Sequence, residues 1–327
     1  MFFDFRLLAR SSARVVRDAF LALAVATLLS TLVGQLLADR VRGFAPLMYL
    51  PAALIAIVAA AIDLTRRGRT LRGPRGLMGG VAAVSFLLAV PALIGLRPLD
   101  RPAPGAAPLR LLQWNVMWGG AWDGSGQWTT FDDEVVAANA DLIVLSEVPH
   151  DEALVERLRR RLGPGWQVLR FDRYETGYVC RIRVLSRWPM KKLYERPLPG
   201  GSFGVAEIES PRFNGRLAVV DGISNLLDKR TLLESVADAL AADPAIAVAC
   251  GDFNATSRSV AFDRFAALGF RDAGAHGRGW RATWPAGLPV YDIDHVLVGP
   301  SLALAGVRSF GSAATDHRGR VVELSGR

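Results

Sequence analysis

The sequence is poor in cysteine, with only Cys180 and Cys250 among 327 residues. Both lie in segments that are typical of strands, where a free cysteine packs as a small hydrophobic side chain. A disulfide would be compatible with a compartment outside the cytosol, but nothing in the sequence fixes the distance between the two sulfur atoms. We therefore interpret both cysteines as buried thiols.

The last two thirds of the chain lack a net charge. Residues 108–327 contain 26 basic and 26 acidic side chains, whereas residues 1–107 contain 13 arginines and 5 acidic residues. The net charge of +8 therefore belongs to the first third. A neutral domain weakly disfavours long duplex DNA as a partner, because duplex DNA rewards a basic face. A local basic patch would still be compatible with a net charge of zero.

Three long apolar stretches in the first third lack lysine and arginine in their interiors. They cover about residues 19–38, 44–64 and 77–96. Each is close to the roughly 20 residues that a helix needs to cross the hydrocarbon core of a bilayer. A cleaved signal peptide would explain only one such stretch. The sequence therefore predicts a multi-pass membrane region with three transmembrane helices over residues 1–98.

Arginine is unevenly distributed among the segments that flank these stretches. Nine arginines lie before the first stretch or between the second and third, and four lie after the first or the third. The excess of positive charge predicts a cytoplasmic N-terminus and a periplasmic or extracellular C-terminal domain. Residues 99–108 are rich in proline, alanine and glycine and are predicted to form an extended linker. The C-terminal domain is then expected to cover residues 109–327.

Residues 109–327 alternate strand-like and helix-like segments, which indicates an α/β domain. Polar side chains follow several of the apolar strands. An isolated polar residue at a strand end is usually a turn residue or a helix cap. Several such ends in one domain suggest instead that they meet at a common centre. These strand-end residues are Asn115, Glu147, Asp252, Asn254, Asp294, Asp316 and His317.

The segment 245–256, AIAVACGDFNAT, is the most informative of these strand ends. Its small apolar residues predict a buried strand that ends at Gly251 and is followed by Asp252 and Asn254. The period of two places both polar side chains on the same side. The carboxylate can accept a proton or bind a hard cation, and the amide can orient a nucleophile or bind a phosphate oxygen. The alternative is a turn with a structural aspartate.

Six motifs follow one another in an order that resembles a known family. They are Gln113-Trp114-Asn115-Val116, Leu145-Ser146-Glu147-Val148, Leu185-Ser186-Arg187-Trp188-Pro189, Gly251-Asp252-Phe253-Asn254, Ile293-Asp294-His295-Val296-Leu297 and Thr315-Asp316-His317-Arg318. This order is similar to that of the endonuclease/exonuclease/phosphatase superfamily of metal-dependent phosphoesterases. The resemblance covers about residues 109–325, and with the preceding apolar stretches the chain looks like a bacterial membrane-tethered branch of that family.

The resemblance implies a fold and a metal site. The fold would be an α/β four-layer sandwich, in which two packed mixed β-sheets are flanked by helices. The metal would be Mg²⁺ or Mn²⁺, held by Asn115 and Glu147 with Asp316 close by. The residue types agree with this, because Mg²⁺ prefers oxygen ligands and keeps several waters.

The resemblance also implies catalytic roles for four residues. Asp252 would orient or deprotonate the attacking water, and Asn254 would hold a phosphate oxygen. His317, paired with Asp294, would stabilise the charged phosphoryl group. A histidine held by an aspartate has a fixed tautomer, which suits a proton donor.

One position departs from the family pattern. Members commonly carry a second histidine on the strand before the amphipathic helix, and Ile223 takes that position here. Isoleucine can neither donate a proton nor bind phosphate. Asp221, Ser224 or Asn225 could substitute for it, or the protonation of the leaving group is weakened. The loss of a general acid typically costs about 10²–10⁴-fold in rate.

The sequence as a whole predicts a membrane-anchored phosphoesterase that depends on a divalent metal and acts on the non-cytoplasmic side. The bond could be a phosphodiester or a phosphomonoester. The substrate stays open between a phospholipid head group, an envelope phosphoester and extracellular nucleic acid. The alternative, motivated by Ile223, is a catalytically weak or inactive family member that serves as a membrane-tethered binding module.

Overall fold

The computed structural model of the chain divides into two compact units, Met1–Val90 and Pro91–Arg327. The residues that the structure describes are 5–67, 76–102, 105, 107–120, 128–149, 152–175, 178–224 and 229–327.

The first unit is built from apolar helices. Its helical elements are α1 (Phe5–Leu37), two 3₁₀ segments (Ala38–Arg40 and Arg42–Tyr49), α2 (Ala52–Arg67) and the greater part of α3 (Leu77–Leu93). Side chains of α2 and α3 form a small buried cluster that contains Ile55, Ala59, Met78 and Val81.

The described part of the chain contains one helix that is long and apolar enough to cross a membrane, Asp18–Arg40. The helices Gly43–Tyr49 and Ala52–Leu64 are long and apolar enough to cross a membrane only when they are taken together, and the pair is bent by 79°. The break contains Pro51, and a proline disfavours the helical conformation of the residue before it. The helix α3 has only 17 residues, because the next two residues, Ile94–Gly95, form a strand. The prediction of three transmembrane helices is therefore corrected to one candidate span, or two if the bent pair counts as one.

The second unit contains two six-stranded sheets and the helices that cover them. Its strands are β1 (Ile94–Gly95), β2 (Leu109–Asn115), β3 (Leu142–Ser146), β4 (Gln167–Glu175), β5 (Tyr178–Ser186), β6 (Met190–Leu198), β7 (Gly201–Ser210), β8 (Phe213–Gly222), β9 (Ile246–Asp252), β10 (Arg271–Asp272), β11 (Gly279–Trp280), β12 (Asp294–Val298), β13 (Leu302–Phe310) and β14 (Gly319–Gly326). Its helices are α4 (Met117–Gly120), α5 (Trp128–Ala137), α6 (Ala153–Leu162), α7 (Arg230–Ala242), α8 (Phe262–Ala267) and a 3₁₀ turn (Ala273–Ala275).

Both large sheets are mixed. The first has the order β10-β12-β9-β8-β7-β6, and the second has the order β13-β14-β2-β3-β5-β4. Strands β8 and β9 are parallel in the first sheet, and β2 and β3 are parallel in the second. The other strand pairs that the structure describes in these sheets are antiparallel. The short strands β1 and β11 form a separate antiparallel pair.

Three apolar clusters separate four layers. The central cluster lies between the sheets and joins Leu111 and Val144 of the second sheet to Val219, Cys250 and Val296 of the first. A second cluster packs α7 and α8 on the outer face of the first sheet, and a third packs α5 and α6 on the outer face of the second. The predicted sandwich of two mixed sheets flanked by helices is confirmed. Both cysteines are buried and free, as expected.

The layer between the sheets changes from apolar to polar at one end. Alternation along β9 directs Cys250 and Asp252 to the same side, and Cys250 belongs to the central cluster. The neighbouring strands change in the same way, since Asp221 and Asp294 are both register partners of Asp252. Three carboxyl groups are thereby brought next to one another where the apolar layer ends.

The segment that was predicted to be a linker, residues 99–108, lies only partly among the described residues, since 103, 104 and 106 fall outside them. Asp100 contacts other residues of the second unit, to which it belongs. Its backbone N–H donates to the carbonyl oxygen of Leu304 (2.9 Å), and its carboxylate accepts hydrogen bonds from the Leu304 N–H and from Arg271. The predicted boundaries at residues 98 and 109 stay a prediction, while the contacts place the start of the second unit at Pro91.

Candidate active site

Asp252 lies at the centre of the polar end of the sandwich. It is the last residue of β9 and is only 1% exposed. Its Oδ1 accepts a hydrogen bond from the Asn254 N–H (2.7 Å), and its Oδ2 accepts one from Asn115 Nδ2 (2.8 Å). Gly251 precedes it with a φ of +148°, and a Cβ atom there would lie 1.9 Å from the Val220 carbonyl oxygen. Only glycine allows this approach of β9 to β8.

Asn254 fixes the chain beyond the strand. Its Nδ2 donates to the Gly222 carbonyl oxygen (2.7 Å) and to Asp252 Oδ2 (3.2 Å). Its φ is +49°, a conformation that asparagine adopts more readily than most residues. The carboxamide therefore connects the ends of β8 and β9 and helps to hold the Asp252 carboxylate in place.

Asn115 ends β2 and reaches Asp252 from the other sheet. Its Oδ1 accepts a hydrogen bond from the Met117 N–H (2.9 Å), and its backbone carbonyl oxygen accepts one from Thr315 Oγ1 (2.9 Å). A carboxamide oxygen has two lone pairs, so Asn115 Oδ1 keeps one for a further partner.

His317 and Asp294 form a buried pair beside Asp252. His317 Nδ1 lies 2.8 Å from Asp294 Oδ2, and Gln113 Nε2 donates to Asp294 Oδ1 (3.1 Å). Trp114 Nε1 donates to the His317 carbonyl oxygen (3.0 Å), which fixes the backbone of the histidine. Burial disfavours the charged form of each side chain, but their mutual attraction raises the pKa of His317 to about 10 and lowers the pKa of Asp294. At neutral pH the two form an ion pair.

Glu147 and Asp316 complete the set of carboxylates. Glu147 directly follows β3 with a φ of +53°. Burial raises its pKa; a hydrogen bond from Asn115 and the charge of His317 oppose this shift, while the negative charges of Asp316 and Asp294 add to it. Asp316 Oδ2 accepts a hydrogen bond from Trp284 Nε1 (2.7 Å).

Asp316 Oδ1 is a buried oxygen next to the histidine. It lies 3.8 Å from His317 Nε2 and accepts no hydrogen bond from the residues that the structure describes. A buried acceptor without a donor costs free energy, about 1–3 kcal/mol, unless a ligand satisfies it. This oxygen is therefore suited to bind a cation or a donor group.

The electrostatics of Asp252 differ from those of Asp294, although both are almost fully buried. Burial raises the pKa of Asp252 well above its usual range, and the negative charge of Asp294 raises it further, whereas His317 opposes the shift. A carboxylate with a raised pKa is a better proton acceptor. Asp294 is held charged by His317 and is the weaker base.

All seven residues that the sequence singled out lie in this one group: Asn115, Glu147, Asp252, Asn254, Asp294, Asp316 and His317. Within it, Asp252, Asp294 and His317 each offer a ligand atom, and these atoms lie within 4.8 Å of one another, so that they could hold a metal ion. The sequence did not indicate the supporting role of Thr315, whereas the period-two spacing from Asn115 could have identified Gln113.

The surroundings of Ile223 distinguish the three proposed substitutes for the expected histidine. Asp221 is buried and is the register partner of Asp252, and Ser224 is exposed. Asn225 lies outside the described residues. Another side chain reaches this position: Lys229 Nζ donates to the carbonyl oxygen of Ile223.

Comparisons with known proteins agree with this geometry. Residues 112–317 match the model of the Endonuclease/Exonuclease/phosphatase family. No curated protein matches the chain.

Similar solved structures include three that cover between 67% and 72% of this chain. An endonuclease/exonuclease/phosphatase family protein from Bacteroides thetaiotaomicron has a TM-score of 0.53 and 16% identity over 70% of this chain and 100% of its own. The human Nocturnin catalytic domain with bound sulfate has a TM-score of 0.51 and 17% identity over 72% and 97%. D. rerio TDP2, complexed with single-strand DNA product, has a TM-score of 0.50 and 15% identity over 67% and 99%. At these identities the similarity shows a common fold.

Proposed function

Because the chain belongs to the endonuclease/exonuclease/phosphatase family, whose model matches residues 112–317, we propose that it hydrolyses phosphoester bonds with the aid of a divalent metal ion. The observation that carries this proposal is the polar group at the end of the sandwich. It combines a buried carboxylate of raised pKa, Asp252, with a buried ion pair, Asp294 and His317. These are a proton acceptor and a cationic donor within one site.

Asn115, Glu147 and Asp316 are the residues that we expect to hold the metal. Burial and the neighbouring carboxylates raise the pKa of Glu147, and a bound cation would relieve both effects. Asp316 Oδ1 and the second lone pair of Asn115 Oδ1 are further oxygen donors. An all-oxygen set suits Mg²⁺ or Mn²⁺. When bound, such an ion neutralises negative charge on a phosphoryl group.

The cluster of Asp252, Asp294 and His317 is the second candidate for the metal. Imidazole binds metals in its neutral form. Burial disfavours the charged ring, but the Asp294 carboxylate raises the pKa of His317, and Nδ1 already lies 2.8 Å from Asp294 Oδ2, so two atoms of this cluster are paired with each other. We therefore favour the set of oxygen donors around Glu147.

The roles of the other residues follow from their hydrogen bonds. Asp252 accepts the proton of the attacking water, while Asn115 and Asn254 hold its carboxylate in position. The water oxygen forms the new bond to phosphorus, and the leaving oxygen departs with the electron pair of the broken bond. His317 is oriented through Nδ1 by Asp294 and can donate from Nε2 to a phosphoryl oxygen.

We also propose that the first unit anchors the protein in a membrane and that the second unit acts on the non-cytoplasmic side. The apolar helix Asp18–Arg40 and the distribution of arginine support this. A signal sequence near the N-terminus meets the same length and hydropathy criteria. Extraction of membranes with alkaline carbonate, with N-terminal sequencing of the product, tests the anchor. An anchored protein stays in the pellet with α1 intact, and a protein that is cleaved after α1 and released into the supernatant would refute the anchor.

Tethering near a bilayer favours a phospholipid head group or an envelope phosphoester as the substrate. Extracellular nucleic acid is the other candidate. The test uses the full chain in detergent with Mg²⁺ or Mn²⁺, on bis-(p-nitrophenyl) phosphate, phospholipid vesicles and plasmid DNA. We expect Asp252→Ala to lower turnover by about 10²–10⁴-fold. Asp238→Ala, which removes an exposed partner of Arg264, is the control. Unchanged turnover in Asp252→Ala would refute the role of Asp252.

A membrane-tethered binding module without strong catalysis is the second candidate function. Ile223 favours it, because this side chain cannot donate a proton where the family commonly carries a histidine. A folded wild-type chain that binds no Mg²⁺ or Mn²⁺ in calorimetry and hydrolyses none of the three substrates would support the binding module over the enzyme.

A further inference from the structure

A buried lysine lies at the polar end of the sandwich without a part in the roles described above. Lys229 directly precedes α7 and is only 4% exposed. Its Nζ donates to the backbone carbonyl oxygen of Ile223, two residues beyond the site carboxylate Asp221 along the chain. Lysine is seldom buried to this extent unless its charge is balanced.

The charge of Lys229 acts on the site carboxylates. Burial lowers the pKa of Lys229 to about 8, and the negative charges of Asp252 and Asp221 oppose this shift. Both carboxylates face the layer between the sheets and are register partners on β9 and β8. The side chain is therefore a cation at neutral pH that lies at the same end of this layer as Asp252.

The described site has more negative than positive groups. Glu147, Asp252 and Asp294 interact with the cation His317, and Asp294 also interacts with the buried Arg320. A phosphoryl group would bring further negative charge into this buried region, where an unbalanced charge is costly. A further cation at Lys229 offsets that cost.

The chemistry of the ammonium suits a phosphoryl oxygen. A lysine carries three N–H donors as a compact point charge and is a common phosphate-binding residue. The carbonyl oxygen of Ile223 takes one donor, so that the same ammonium can also donate to a ligand. The side chain of Ile223 itself has no polar atom to offer.

We propose that the Lys229 ammonium binds an oxygen of the substrate's phosphoryl group and thereby supplies the donor that Ile223 lacks. The identity of the substrate as a phosphoester rests on the proposed function. The competing reading is that Lys229 only balances the charges of Asp221 and Asp252 and stabilises the fold.

The test is a calorimetric titration of the full chain, in detergent and with Mn²⁺, with inorganic phosphate as the ligand. Lys229→Met removes the charge and keeps the length of the side chain. We expect it to raise the dissociation constant for phosphate by about 10- to 100-fold, as for the loss of a hydrogen bond between charged groups. The matched control is Arg230→Met, which removes the adjacent cation, a partner of Glu234 on α7. The control should bind phosphate as the wild type does.

The competing reading gives a different result. A cation that only balances charge would alter the thermal unfolding of Lys229→Met and leave its phosphate affinity equal to that of Arg230→Met. That outcome, or a wild-type chain that binds no phosphate, overturns the proposal. If Lys229→Met fails to fold, Lys229→Gln replaces it, because the amide retains a donor for the Ile223 carbonyl oxygen.

The turnover of bis-(p-nitrophenyl) phosphate separates this proposal from the proposed function. Phosphate binding that depends on Lys229, in a wild-type chain without turnover, supports the binding role and refutes the hydrolase. Metal-dependent turnover in a chain whose phosphate affinity does not depend on Lys229 supports the hydrolase and refutes the binding role of Lys229.

Discussion

Two buried pairs of histidine and aspartate share strand β12, one on each face. Asp294 faces the layer between the sheets and lies 2.8 Å from His317 Nδ1. The next residue, His295, faces the helices, where its Nδ1 lies 3.2 Å from Asp272 Oδ2 and its Nε2 lies 2.8 Å from the Ala255 carbonyl oxygen. Successive residues of a strand point to opposite faces, so one strand presents both pairs.

The second ring nitrogen distinguishes the two pairs. Both nitrogens of His295 have partners, and the ring packs between Phe253 and Phe262, with centroid distances of 5.4 and 4.7 Å. His317 Nε2 lies 3.8 Å from Asp316 Oδ1, beyond hydrogen-bonding distance, and remains available to a ligand. The pair of His295 and Asp272 is thus structural, because its ring is enclosed. The pair of His317 and Asp294 is suited to chemistry, because one ring nitrogen faces other polar groups.

The largest expected difference between the pairs is in turnover. We expect His317→Gln to lower kcat/KM for bis-(p-nitrophenyl) phosphate by about 10²–10⁴-fold, because it removes the cationic donor. His295→Gln, assayed at a temperature at which it is folded, should keep kcat/KM within a few-fold of the wild type. Equal losses of kcat/KM in the two variants would mean that the two pairs do not differ in their role in turnover.

The second difference is in stability. We expect His295→Gln to lower the free energy of unfolding by about 3 kcal/mol, as for a broken buried ion pair. The loss should stay near this lower end of the range because Arg281 also pairs with Asp272 (2.7 Å). Urea unfolding of the full chain in detergent, followed by tryptophan fluorescence, gives the value. An unchanged midpoint would show that the enclosed pair does not stabilise the fold.

The third difference concerns pH. Burial disfavours the charged form of His295, but Asp272 raises its pKa above the ordinary value of 6.5. The pair's contribution to stability is therefore fully present below pH 6.5 and is lost as the pH rises through the raised pKa. The difference in unfolding free energy between wild type and His295→Gln should shrink when urea unfolding is repeated from pH 6 upward. A difference that grows with pH would contradict the ion pair.

The smallest effect is expected at Gln113, which donates a hydrogen bond to Asp294 within the site. Gln113→Ala removes the donor to Asp294 Oδ1 and should lower kcat/KM by about 3- to 10-fold, equivalent to the loss of one hydrogen bond of roughly 1 kcal/mol. Gln167→Ala is the control, since its Oε1 accepts from the Met190 N–H on β6, at the sheet edge. Equal rates in wild type and Gln113→Ala would mean that Asp294 is oriented without Gln113.

The layered fold could be predicted because its signals are local. The buried strands β3 and β9 are continuous apolar runs, and α7 shows its apolar face at helical spacing. Strand β6 is hard to recognise in the sequence, because it lies at the edge of its sheet, carries Lys191 and Lys192 and contains Pro197. Such residues are typical of edge strands and obscure the alternation that identifies a strand.

The membrane region shows where composition misleads. Residues 44–64 have the length and hydropathy of a span, yet the helix breaks at Pro51 with a bend of 79°. Hydropathy averaged over a window does not register a change of direction. The third stretch was predicted to continue to Leu96, but residues 94 and 95 pair with β11 instead.

The site was partly predictable because some of its signals are also local. Polar residues that end buried strands are visible in the sequence, and Asp252 and Asn254 were identified in this way. The resemblance implied the pair of His317 and Asp294, which the structure contains. The contact between Asn115 and Asp252 was not visible, because the two residues are 137 positions apart. Lys229 was missed because it precedes a helix, and its contact with the carbonyl oxygen of Ile223 exists only in the folded chain.

The most direct test of the proposed site is the response of turnover to metal removal. The full chain is treated with a chelator, and hydrolysis of bis-(p-nitrophenyl) phosphate is followed as Mn²⁺ is added back, beside Glu147→Gln. We expect wild-type turnover to disappear with the chelator and to return with Mn²⁺, and we expect Glu147→Gln to need a much higher Mn²⁺ concentration. Turnover that survives the chelator, or a Glu147→Gln protein with the wild-type response to Mn²⁺, would contradict the proposed site.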